Sequence, residues 1–183
     1  MKQTIIIAII LLGSILVSAQ KFITKTGHIR FFSEASIEKI EAHNRQVNAA
    51  FDATTGDFVF KVLMKSFEFE KALMQEHFNE NYVASDKFPT AKFLGKITNI
   101  TEVNVEKDGI YPVTVEGKLT IHGITNALNE KGTLEVKKDK IEGKANFTIL
   151  LADYKIDIPG AVVKNISKTI EITVDLLLEK ASK

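Results

Sequence analysis

Apolar and polar side chains alternate with a period of two along most of the chain, and this predicts β-strands, whose successive residues face opposite sides of a sheet. Residues 111–121 show it best. Tyr111, Val113, Val115, Gly117, Leu119 and Ile121 fall on one face, and Thr114, Glu116, Lys118 and Thr120 on the other. The pattern returns in Ile141, Gly143, Ala145, Phe147, Ile149 and Leu151, and again in Ile170, Ile172, Val174, Leu176 and Leu178. Shorter strands are predicted over residues 29–31, 47–51, 58–64, 93–97 and 134–136. Turn signals separate them at Thr54-Thr55-Gly56-Asp57, Lys107-Asp108-Gly109, Asn129-Glu130-Lys131-Gly132 and Lys138-Asp139-Lys140. One face of each strand is polar, which excludes a parallel sheet covered on both sides. About eight such strands predict an all-β, antiparallel fold. A barrel is preferred to a sandwich, because closure removes exposed edges and encloses the apolar face.

Residues 69–79 break this rhythm. Phe69, Leu73 and His77 recur at steps of four, Met74 and Phe78 form a neighbouring line, and Glu68 and Glu70 stand where a helix dipole favours negative charge. The spacing predicts one amphipathic helix, packed over the barrel or capping one end. A loop through Asn81, Tyr82 and Ser85 to Pro89 follows.

The N-terminus bears on the compartment. Lys2 precedes an apolar run over residues 5–17, and Val17-Ser18-Ala19 offers small residues for a signal peptidase. The run is shorter than the roughly 20 residues that span a bilayer. The expectation is a signal peptide over 1–19, cleaved after Ala19, and a β-barrel domain over 20–183. The mature chain would be periplasmic or secreted, with no stable membrane anchor. No cysteine is present, so neither a lipid-modified cysteine, a disulfide nor a thiol nucleophile enters.

Without Lys2 the basic residues equal the 23 acidic ones. That balance argues against nucleic acid, which demands a basic surplus. His28, His43, His77 and His122 lack metal-ligand spacing, and no HExxH, GxSxG, GxGxxG or phosphate-loop motif occurs. The expectation is a protein with no metal, no catalytic residues and no enzymatic activity. Small residues on the apolar faces (Ala49, Ala91, Gly95, Gly117, Gly143 and Ala145) admit two readings. They leave a slot for a ligand, or they mark bulges that neighbouring phenylalanine rings fill.

Three blocks resemble the YceI-like family. Phe51-Asp52-Ala53-Thr54-Thr55-Gly56 is similar to a turn near that family's first hairpins. Residues 65–93, KSFEFEKALMQEHFNENYVASDKFPTAKF, match its helix with an acidic residue and histidine, its aromatic loop, and the Lys87-Phe88-Pro89-Thr90-Ala91-Lys92-Phe93 start of a strand. Residues 115–124, VEGKLTIHGI, resemble its strand and glycine turn. Two departures stand out. Residues 150–156 keep the Asp153-Tyr154 pair but lose the family's arginine and glycine, and Thr125-Asn126-Ala127 replaces Thr-Lys-Pro.

The resemblance implies a lipocalin-like, exported bacterial barrel that holds a polyisoprenoid or quinone-like lipid for transport, storage or sequestration. The partner would then be an apolar lipid, with no other cofactor, and a homodimer stays open. Phe51, Phe58, Phe60, Leu73, Phe93, Leu119, Phe147 and Ile149 are the candidate tail contacts. His77, Tyr82 and Tyr154 are the candidates for a polar mouth. The competing expectation is a stress-response or protein-interaction module with a packed barrel and no ligand.

Overall fold

The computed structural model describes residues 20–181, and the segment expected to be a signal peptide lies outside the described residues. The strands are β1 (Lys21–Glu34), β2 (Lys39–Asp52), β3 (Asp57–Leu63), β4 (Glu68–Phe69), β5 (Thr90–Ile97), β6 (Gly109–Ile121), β7 (Ile124–Lys137), β8 (Lys140–Leu150) and β9 (Thr169–Lys180). Eight of them form an antiparallel sheet in the order β1-β9-β8-β7-β6-β5-β3-β2, and β2 pairs back onto β1. The sheet is therefore a closed barrel, the form the amphipathic strands favour. The two-residue β4 adds Phe69 and Glu68 beside Ala42 and His43 of β2.

Two strands are much longer than the alternation suggests, and the reason is a change of phase. In β1, Phe22 and Thr24 face inward, then Gly27 and Ile29 do, with register shifts between Thr24, Gly27 and Ile29. In β2 the inward set moves from Ala42 and Asn44 to Val47, Ala49 and Phe51. A bulge of this kind inserts an extra residue and turns the pattern over. Asn44 sits fully buried at the shift, donating to the Leu63 carbonyl at 2.8 Å and accepting from the Gln46 amide at 2.9 Å. Those bonds satisfy its polar atoms inside the wall.

The predicted turn at 129–132 is corrected: all four residues lie inside β7, whose pairing with β6 runs unbroken from Gly109↔Val136 to Ile121↔Ile124. The real turn is His122-Gly123, with both residues at positive φ. The helix is also shorter than expected. An α-helical segment α1 (Ala72–His77) continues as a π-helical turn over Phe78–Tyr82, and Phe69 belongs to β4.

One end of the barrel is solid. Phe22, Phe51, Phe58, Phe60 and Phe93 form a chain of aromatic contacts with centroid separations of 6.3, 5.7, 4.7 and 6.4 Å. Val47, Ile97, Val136, Ile141 and Leu178 complete a fully buried floor. At the opposite end, Phe31 of β1 meets Phe67, Phe69 and Phe78 at 5.4–5.5 Å, which holds the helical segment over the mouth.

Candidate functional site

Above the aromatic floor the barrel contains a cavity of about 540 Å³, within the size range of small-molecule pockets. Its wall is almost entirely apolar. It includes Ile29, Phe31, Met64, Leu134, Ile172 and Leu176, together with Met74, Phe78 and Val83 of the covering segment. Along β5 it extends from Ala91 to Ile97, ~20 Å at the rise of a strand.

Seven of the eight tail candidates line it: Phe58, Phe60, Leu73, Phe93, Leu119, Phe147 and Ile149. Phe51 does not. It is 1% exposed and wedged in the floor between Phe22 and Phe58, one layer below the space. Of the mouth candidates, His77 and Tyr82 reach the cavity and Tyr154 does not. Tyr154 is buried in a turn over Leu151–Tyr154, where burial pushes its phenol above the ordinary tyrosine range, and its carbonyl lies 3.1 Å from His122 Nδ1. Leu73 is 60% exposed although it lines the cavity, which marks the place where the space meets solvent beside the helix.

The small residues divide between both readings. Ala91, Gly143 and Ala145 line the cavity. Gly95 and Gly117 face each other across β5 and β6, and the Phe93 ring lies on both, so these two glycines seat an aromatic side chain and open no slot.

The mouth carries a polar fringe as well. Glu38 accepts from Asn165 Nδ2 at 3.3 Å and pairs with Lys71 at 3.5 Å. Ser33, buried, accepts from the Ser167 amide at 2.9 Å. The alternation gives no hint of these groups, because they come from loops and from the far end of β1.

On the outer wall the bulge brings together two histidines that are distant in sequence. Glu41 accepts from His43 Nε2 at 2.7 Å, which leaves His43 Nδ1 to accept from His28 Nε2 at 3.0 Å. His28 Nδ1 then faces Asp175 at 3.7 Å, while Arg30 bridges Glu41 and Glu171. His28 is held below the ordinary histidine value by burial first, then by the charges of Arg45 and His43, against the opposing pull of Asp175. With a depressed folded value, its contribution to stability is complete above about pH 6.5 and disappears as pH falls through that folded value. Wild type should therefore lose more thermal stability than His28→Asn between about pH 7 and pH 5, by a few degrees at most for one partly exposed ring. Melting curves at several pH values check this, and equal slopes would remove His28 from the account.

A closed antiparallel barrel with a solid floor and an apolar interior is a lipocalin-like architecture. The sequence is more specific: residues 19–178 match the YceI-like domain, and the chain belongs to that family. Among solved structures it is similar to a polyisoprenoid-binding domain from Saccharophagus degradans implicated in plant cell wall breakdown. That match has a TM-score of 0.77 and 12% identity, and covers 90% of this chain and 100% of the other. Burkholderia cenocepacia BcnA aligns with a TM-score of 0.68 and 14% identity, over 84% of this chain and 96% of its own. A Campylobacter jejuni YCEI protein aligns at 0.60 and 15%, over 76% and 84%. No curated protein sequence matches the chain.

Proposed function

We propose that this protein is an exported, non-catalytic carrier or store that holds a single long apolar ligand of the polyisoprenoid or quinone type inside its barrel. The observation that carries the reading is the cavity itself: about 540 Å³, walled by phenylalanine, leucine, isoleucine and valine. A buried methylene contributes about 0.8 kcal/mol, so an extended hydrocarbon tail binds tightly there without any charged contact. The Saccharophagus domain, described as polyisoprenoid-binding, shares the fold and supports the ligand class. The apolar N-terminal run and the small residues ending at Ala19 support export.

The test is to express the chain in a bacterial periplasm, purify it without detergent, and combine native mass spectrometry with organic extraction. The expected result is a discrete added mass and a recoverable apolar molecule. A protein that arrives empty, and stays empty when offered polyprenol and quinone lipids, overturns the reading.

A further inference from the structure

The wall of the barrel is not continuous. β6 and β7 pair over their whole facing lengths, and so do β8 and β9. The β7–β8 ladder, by contrast, stops at Gly132↔Ala145 after running only from Lys137↔Lys140. Beyond that rung β7 continues to Ile124 and β8 to Leu150, each bonded to its other neighbour and not to its facing one. The two strands are tied again only near the mouth, where Asn126 Nδ2 donates to the Asp153 carbonyl at 2.7 Å and His122 Nδ1 meets the Tyr154 carbonyl. A window bounded on four sides is left in the wall.

The window lies against the cavity. The cavity is lined on this side by Leu128 and Glu130 of β7 and by Phe147 and Ile149 of β8, and also by Lys131 and Lys144, which lie on the outward phases of the two strands. Glu130 occupies the inward phase of β7, between Leu128 and Gly132, and its carboxylate makes no hydrogen bond or ion pair among the described residues. Gly132 marks where the strands part. A Cβ there would stand 2.6 Å from the Lys144 carbonyl oxygen, so the last rung is drawn in more tightly than a side chain allows.

Resting on the reading of the barrel as a lipid holder, we propose that this window is the side entrance through which the apolar chain passes between solvent or membrane and the cavity. The aromatic cluster of Phe31, Phe67, Phe69 and Phe78 fills much of the axial mouth and leaves the gap beside Leu73 as its opening. Among the described residues no aromatic contact of this kind joins β7 to β8 across the window. An unpaired edge on each side lets it widen without breaking a ladder bond, whereas widening the wall anywhere between paired strands costs several. The free Glu130 carboxylate, set at the threshold, favours water there when the cavity is empty and makes the window hydrated rather than sealed.

The experiment uses the absence of native cysteine. Asn129→Cys and Thr148→Cys place thiols on the outer faces of the two edges, outside the cavity lining. The double variant is either bridged with a short bis-maleimide or capped on both thiols with N-ethylmaleimide. Uptake of cis-parinaric acid, which fluoresces in apolar surroundings, is then followed by stopped flow. The bridged form should take up the probe at least tenfold more slowly than the capped form, and reach the same final occupancy. Equal rates overturn the side entrance and leave the carrier reading standing. Failure of every form, wild type included, to take up this probe or polyprenol overturns both.

Discussion

Gly143→Leu is expected to leave the barrel folded and to weaken binding of an apolar ligand about 100-fold. A Cβ at Gly143 would rest at 3.5 Å from Leu134 Cδ2 and 3.7 Å from Leu176 Cδ1, ordinary contact distances. The rest of the leucine then projects into the cavity that these three residues line. Displacing about four methylenes of a bound tail removes roughly 3 kcal/mol, which corresponds to about two orders of magnitude in Kd. The new side chain meanwhile fills space, so the melting temperature of the empty protein should hold or rise. Ligand titration and thermal melting on the same sample check both halves. Full binding by a folded variant would show that the tail does not occupy this part of the barrel.

Gly117→Leu should have the opposite outcome, although both glycines lie on inward phases of their strands. The Cβ would stand 2.5 Å from the Gly95 Cα and from the Leu94 carbonyl oxygen, and 2.7 Å from the Phe93 ring. Two of those atoms are backbone and cannot turn aside. Relief requires prising β5 from β6 and ejecting Phe93, one link in the aromatic chain that builds the floor. The expected loss exceeds about 3 kcal/mol, a large share of the roughly 5–15 kcal/mol that holds a domain folded. Gly117→Ala, which adds only the clashing atom, should already lower the melting temperature by several degrees. An unchanged melt for the alanine variant would contradict the packing described.

These two glycines show how far the sequence could be read. Period-two alternation places Gly117 and Gly143 on the same kind of face, and does so correctly. It carries no information on which neighbour leans over which glycine, because that depends on register between strands distant in the chain. Phe51 illustrates the same limit. Its inward orientation was legible, but its height in the barrel depends on Phe22 and Phe58 reaching it from two other strands. The hidden lengths of β1 and β2 have a different cause, the bulge that reverses the alternation midway. Reading Asn129-Glu130-Lys131-Gly132 as a turn relied on composition. Yet Asn126, Leu128, Glu130, Gly132 and Leu134 keep a strict inward phase through it, and that phase also places Glu130 at the window. The pairing of His28 with His43 leaves no trace in spacing at all, since it needs two antiparallel strands and a register shift to bring the rings together.

Joining β1 to β9 also has a consequence in time. The rungs Phe22↔Lys180 and Phe31↔Ile172 connect the first strand to the last, so the ring cannot shut until the two most distant parts of the chain have met. Hairpins such as β6–β7, tied by the two-residue His122-Gly123 turn, can form early and locally. The final join is of high contact order, which places this barrel among the slow folders, on the scale of milliseconds to seconds. Until that join is made, β1 and β9 each present a free, hydrogen-bonding edge to any neighbouring chain, and the apolar interior lies open. During that interval, crowding among nascent copies is a hazard that the closed ring no longer faces.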